Sequence, residues 1–134
     1  MFALLLLPFK VQSQNRDKEL WILYDKNDSL SNKISKREWD FYTSNTTLDH
    51  GEIFCFSIKK IYQNADTLYK LPCNIVLYKG KKLFKKAHAD FKHRKDIPPF
   101  DLDWLNKLYD NIFIVEKEND YYLIYHVKFH ACEI

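Results

Sequence analysis

Apolar residues recur at every second position over much of this chain, the period of a half-buried β-strand. Between 36 and 43, Arg37, Trp39 and Phe41 fall on one side and Glu38, Asp40 and Tyr42 on the other. From Glu52 to Tyr62 the alternation returns, with Phe54, Phe56 and Ile58 opposed to Cys55, Ser57 and Lys59. The polar loop from Thr43 to Gly51 joins these runs. The pattern predicts an antiparallel pair, with a connection longer than an ordinary hairpin turn. A second hairpin is predicted where 112–116 and 121–131 flank the polar tetrad Lys117-Glu-Asn-Asp120. Its last strand puts Leu123, Tyr125, Val127, Phe129 and Ala131 on one face and Ile124, His126, Lys128, His130 and Cys132 on the other. Such a strand suits an antiparallel sheet covered on one face and solvated on the other.

Two shorter runs are nearly continuous. Glu19 to Tyr24, closed by Asp25-Lys-Asn-Asp28, predicts a central strand and a turn. Asn74 to Tyr78 predicts another strand, and Pro72 just before it favours a sheet edge or a strand start. After Gly80 the period changes. Leu83, Phe84, Ala87 and Phe91 are spaced for a short amphipathic helix, although Tyr78 to Leu83 would also turn a hairpin. A second helix is predicted over Leu102 to Asp110, with Asp101 as N-cap behind Pro98-Pro99. Phe100 and Leu105 occupy the two positions of a hydrophobic staple, and Asn111 is placed to end the helix in a left-handed conformation. Strands outnumber helices and mostly follow one another. The predicted class is α+β, a mostly antiparallel sheet of five to six strands with one or two short helices packed on one face.

The first residues follow neither period. Ala3 to Phe9 is a seven-residue apolar stretch, far below the roughly 20 residues needed to span a bilayer. Followed by Val11-Gln12-Ser13, it matches a secretory signal peptide cut after Ser13, although no Lys or Arg precedes the stretch. A buried N-terminal strand is the competing reading. Residues 14–134 would then form one domain, and no later apolar run is long enough to cross a membrane as a helix.

Composition narrows the chemistry. The chain has 134 residues, 46% of them hydrophobic, with 21 Lys or Arg against 18 Asp or Glu. That is too apolar and too balanced for disorder. Gly51 and Gly80 are the only glycines, so a glycine-rich phosphate loop is excluded, and no cofactor is implied. Three cysteines, Cys55, Cys73 and Cys132, allow at most one internal disulfide. They are compatible with buried thiols, with one bridge such as Cys55 to Cys73, or with a reactive thiol.

Charge is unevenly distributed. Residues 79–95 hold eight Lys or Arg against the single Asp90, a net +7, while the rest of 14–134 sums to −5. Such asymmetry attracts phosphates, acidic polysaccharide or an anionic membrane surface. The candidate binding residues are Lys81, Lys82, Lys85, Lys86, Lys92, Arg94 and Lys95. Phe84 and Phe91 interleave with them in the manner of a nucleic-acid site, but the same rings serve as the buried side of a helix. Nucleic acid is the less favoured partner.

Histidine constellations are weaker. His88 and His93 lie about 140° apart on a helix, so with Asp90 they do not converge on a metal. His126 and His130 share a strand face but are roughly 13 Å apart along the backbone. Asp49-His50, with Ser44 or Cys55 as nucleophile, lacks any supporting motif. No catalytic residue and no metal ligand is assigned. Trp21, Trp39 and Trp104 suit a core better than a sugar-binding face.

The Ser13-Gln14 junction, the strand directly after it at 19–25 and the tyrosine-rich hairpin at 112–131 resemble small uncharacterised exported proteins of gram-negative bacteria. The resemblance implies a periplasmic or secreted location and carries no activity and no functional residues. The expected function is a non-enzymatic interaction module contacting lipid headgroups, polysaccharide or another protein. A small hydrolase or other enzyme using His50 or His88 with a carboxylate is the opposing class, and a structural subunit pairing through a sheet edge is the third. Protein recovered from the cell envelope is expected to start at Gln14 on N-terminal sequencing. An intact Met1 contradicts export.

Overall fold

The computed structural model describes residues 18–44, 51–59 and 64–132. The predicted leader, the Asp49-His50 pair and the far end of the 52–62 run lie outside them. Seven strands and two helices are described. In chain order they are β1 (Glu19–Tyr24), β2 (Ser31–Ser35), β3 (Glu38–Tyr42), β4 (Ile53–Ile58), β5 (Asp66–Leu68), α1 (Gly80–Lys92), α2 (Trp104–Leu108), β6 (Asn111–Lys117) and β7 (Tyr122–His130). All strands join one sheet in the order β1-β6-β7-β4-β3-β2, with β5 alongside β7.

The two hairpin-like pairs form as expected. Trp39 lies opposite Phe56 and Phe41 opposite Phe54, and all four rings are at most 1% exposed. The terminal hairpin pairs Ile112 with Val127 and Ile114 with Tyr125. The predicted antiparallel sheet of five or six strands is nevertheless corrected. The sheet is mixed, because β1 runs parallel to β6, Leu20 beside Ile112 and Ile22 beside Ile114. β1 is also outermost in the order instead of central. On its far side the predicted strand at 74–78 contributes only a single bridge, Tyr78 to Ile22. Two backbone bonds hold it, Leu23 N–H to Tyr78 at 2.9 Å and Tyr78 N–H to Trp21 at 3.0 Å.

The sheet curls into a half-barrel whose concave side holds the core. The curl is deep enough for Lys33 on β2 to reach Glu116 on β6, with β3, β4 and β7 between those strands. Lys33 Nζ donates to Glu116 Oε2 at 2.7 Å, and Trp39 Nε1 donates to the same oxygen at 3.0 Å. Glu116 has the parity of Ile112 and Ile114 and is 9% exposed. A carboxylate taken that far from water requires such partners. Burial works against the Lys33 ammonium, but the hydrogen bond and charge of Glu116, aided by Tyr125, outweigh it and raise the pKa above its ordinary value.

α1 fills the concavity. The chain turns into it at Gly80, whose φ of +56° is a conformation a side chain disfavours. Leu83, Phe84 and Ala87 are buried against the sheet, and Phe84 stacks on Phe54 at 4.1 Å. The second helix is shorter than predicted. It begins at Trp104, after successive turns closed by Asp101 N–H to Pro98 and Trp104 N–H to Asp101, each 3.2 Å. The staple therefore does not form: Leu105 is fully buried while Phe100 is 94% exposed. Asn111 does not end the helix but opens β6.

The convex face is less solvated than its alternation predicted. Trp21, Phe113 and His126 stack across β1, β6 and β7, at 4.4 and 5.0 Å between successive rings, and Val115 and Ile124 beside them are buried. The same face carries a disulfide between Cys55 and Cys132, with Cα atoms 5.5 Å apart. The suggested Cys55–Cys73 bridge is thus corrected, because β4 pairs with β7 and sets Cys55 opposite His130. Closing a loop over a separation of 77 residues restricts the unfolded chain by about 4 kcal/mol in the chain-entropy view.

Replacing Glu116 by Ala leaves Lys33 and the Trp39 N–H without their acceptor. It is expected to lower stability by about 2–3 kcal/mol in urea unfolding. Glu116→Gln, which keeps an acceptor for Trp39, is expected to cost less. Because the Lys33 pKa is raised, its contribution persists below the ordinary lysine value of 10.5 and is lost as pH climbs through the raised value.

Candidate functional site

With the apolar stripe of α1 turned into the half-barrel, the other side of the helix faces outward. At about 100° per residue, Lys81, Lys85, His88 and Lys92 fall within an arc of roughly 60°. Lys81, Lys82, Lys85, Lys92 and Lys95 are all exposed. None of these five belongs to an ion pair among the described residues. The other two predicted binding residues are engaged. Lys86 pairs with Asp90 at 3.1 Å and lies 5.8 Å over the Tyr78 ring. Arg94 donates twice to Asp96, at 2.9 Å each, and chiefly through that hydrogen bond the Asp96 carboxyl falls to about 2.

Phe84 and Phe91, which interleave with these charges in sequence, are not offered to a ligand. Phe84 is 3% exposed, and Phe91 packs against Trp104 at 4.8 Å.

His88 joins the basic stripe to an apolar groove of about 670 Å³ through two residues that line it, Trp104 and Glu52. The walls of the groove include Phe54, Phe129 and Trp104, with Phe100 and Leu102 on the 98–103 loop. The His88 ring stacks on Trp104 at 5.5 Å and 20°, and its Nε2 lies 2.5 Å from Oε1 of Glu52. Both side chains stay open to solvent, at 45% and 41%. The pair ties α1 to the residue just ahead of β4.

The loop that bears Phe100 and Leu102 is firmly built. Asp101 accepts from the Asp103 N–H at 2.9 Å and from the Lys107 ammonium, and these hydrogen bonds, Lys107 first, hold its carboxyl below the ordinary range. One turn on, Asn106 clamps β7: Nδ2 donates to the Phe129 carbonyl at 2.7 Å, and Oδ1 accepts from the Phe129 N–H at 2.9 Å. Phe100 and Leu102, 94% and 75% exposed, therefore project from an anchored turn.

Other residues weighed from the sequence are occupied elsewhere. Asp90 accepts from the Tyr109 hydroxyl at 2.5 Å, so it and His88 face different partners. Burial, then that hydrogen bond to Asp90, pushes the Tyr109 hydroxyl well above its usual pKa. His126 stacks on Phe113, and the Nδ1 of His130 lies 3.1 Å from the Ala131 carbonyl oxygen. Among the described residues no three His, Cys, Asp or Glu side chains gather as metal ligands. Trp39 belongs to the core, Trp21 to the convex stack and Trp104 to the groove.

The sequence offered His88 with a carboxylate but not which one, so Glu52 as its partner and the exposed loop side chains escaped the sequence reading. Glu52 and His88 are 36 positions apart and share no motif. Phe100 and Leu102 gave a local signal, but it was read as one half of a staple and the first residue of a helix. Comparison with protein-family models, with curated proteins and with solved structures finds no match to this chain.

The stripe lysines bear no structural load. The triple variant Lys81→Glu/Lys85→Glu/Lys92→Glu is expected to unfold in urea within about 0.5 kcal/mol of the parent. A loss well beyond that indicates that these side chains hold the fold.

Proposed function

We propose that this protein is an exported, non-enzymatic interaction module that docks against an anionic surface through the outer side of α1. The observation that carries this reading is the set of five exposed lysines, Lys81, Lys82, Lys85, Lys92 and Lys95, none engaged by an acidic side chain among the described residues. Lysines arranged in this way keep their full attraction for an external anion, whereas an internal salt bridge cancels it. The remainder of the domain is net acidic, so the field is directional and orients the approach. The Cys55–Cys132 disulfide supports the exported location, since such bonds persist in oxidising compartments. No helix among the described residues is long and apolar enough to cross a membrane, so attachment through α1 is peripheral.

The hydrolase reading has one observation in its favour, the His88–Glu52 pair beside a groove. An orienting carboxylate on a histidine is two-thirds of a nucleophile-activating arrangement. The third part is not in place: among the described residues no hydroxyl or thiol bonds to His88. Pairing at the β2 edge is disfavoured by β2 itself, which spans five residues, carries a register shift between Lys33 and Ser35, and is followed by Lys36 and Arg37. Short, irregular, charged edges resist pairing.

The parent protein is expected to be retained on a heparin column at low ionic strength and released as salt rises. Lys81→Glu/Lys85→Glu/Lys92→Glu is expected to pass through unretained. A parent protein retained neither on heparin nor by vesicles that carry phosphatidylglycerol, or a variant retained equally, contradicts the reading.

A further inference from the structure

Basic stripes are common to proteins that bind polysaccharide, acidic proteins and lipid, so the stripe alone does not identify the partner. What adjoins it does. Phe100 is 94% and Leu102 75% exposed, and both stand on the same groove that Trp104 and Phe129 line. Trp104 stacks on His88, and His88 lies on the helix between Lys85 and Lys92, so apolar and cationic groups form one continuous surface.

The apolar members are held out. The turns at 98–104, the Asp101 contacts and the Asn106 clamp fix the loop so that neither Phe100 nor Leu102 folds back into the core. The two exposed apolar tips sit beside a half-buried tryptophan and a row of lysines. That order matches the depth profile of a bilayer interface: acyl chains take apolar side chains, the headgroup boundary takes indole, and the phosphate plane takes ammonium groups. A polysaccharide offers no apolar layer for Phe100 and Leu102.

Resting on the anionic-surface reading above, we propose that the surface is an anionic lipid bilayer, entered by Phe100 and Leu102 while Lys81, Lys85 and Lys92 lie on its phosphates. Charge brings the domain to the membrane, and the two side chains set how long it stays. Both contributions are needed, because two side chains or three lysines alone give only marginal attachment.

The test compares three proteins on three supports. The proteins are the parent, Phe100→Ser/Leu102→Ser, and Lys81→Glu/Lys85→Glu/Lys92→Glu. The supports are phosphatidylcholine vesicles, the same vesicles with one-third phosphatidylglycerol, and heparin. The parent is expected to sediment with the phosphatidylglycerol vesicles and not with phosphatidylcholine alone. Phe100→Ser/Leu102→Ser is expected to bind those vesicles at least about tenfold more weakly while leaving heparin at the same salt concentration as the parent. The lysine variant is expected to lose both.

If the serine variant sediments like the parent, or if the parent is retained on heparin but ignores the vesicles, the membrane inference is overturned and the anionic-surface reading stands. If the parent binds neither heparin nor vesicles, both are overturned. Both substituted side chains are exposed, so unchanged thermal melting is expected of the serine variant and attributes its loss of binding to the surface.

Discussion

α1 has a single apolar stripe, and the half-barrel buries all of it but Phe91, which packs on Trp104. Leu83, Phe84 and Ala87 are the helix residues that fill the concave side, and their burial leaves the lysines of the opposite side nowhere to go but outward. The outward basic side and the groove beside it both depend on that commitment. Phe54 is its pivot: its ring meets Phe84 at 4.1 Å, Trp104 at 5.9 Å and Phe129 at 5.7 Å, joining α1, α2 and the two central strands in one aromatic cluster. Aromatic contacts of this kind add geometric preference to area burial, so the helix is fixed in rotation as well as in place.

The curvature that creates the concavity is itself fastened at the far end. Glu116 gathers Lys33 and Trp39 across the curl, and a carboxylate removed from water that far tolerates no looser arrangement. Near the other end, the Cys55–Cys132 bond holds β4 to the segment that leaves β7. Between these fastenings lie the strands that wall the groove. The groove and the outer side of α1 are therefore consequences of one packing solution, and the loop with Phe100 and Leu102 is added to it through Asn106 and Asp101. Two large apolar side chains are held out on that braced turn, and neither contributes to the core.

How much of this was legible in the sequence varies with the range of the interaction. β3 with β4, and β6 with β7, were readable because alternation is local and each pair is near in sequence. α1 was readable because Leu83, Phe84 and Ala87 repeat at helical spacing. β2, with the sequence Ser-Asn-Lys-Ile-Ser, has no periodicity to read, since an edge strand needs only its backbone. The parallel pairing of β1 with β6 joins residues about ninety positions apart, and no local pattern encodes it. The disulfide partner followed from the β4–β7 register and was not available from spacing. Glu116 did leave a trace, for it has the parity of Ile112 and Ile114 in an otherwise apolar run. For the candidate site, the basic segment was visible from charge alone. Which of its members are already paired, Lys79, Lys86 and Arg94, depended on Asp25, Asp90 and Asp96 in three dimensions.

The proposed membrane-facing surface follows from the packing of α1, and its geometry can be read directly on the bound protein. Amide signals recorded with phosphatidylglycerol-containing bicelles that carry a spin label at the depth of the acyl chains report which residues approach the lipid. If the domain docks as proposed, attenuation peaks at Phe100 and Leu102, declines along Lys92, Lys85 and Lys81, and spares β2 and the Trp21–Phe113–His126 stack. Attenuation centred on that stack or spread evenly over the domain contradicts it.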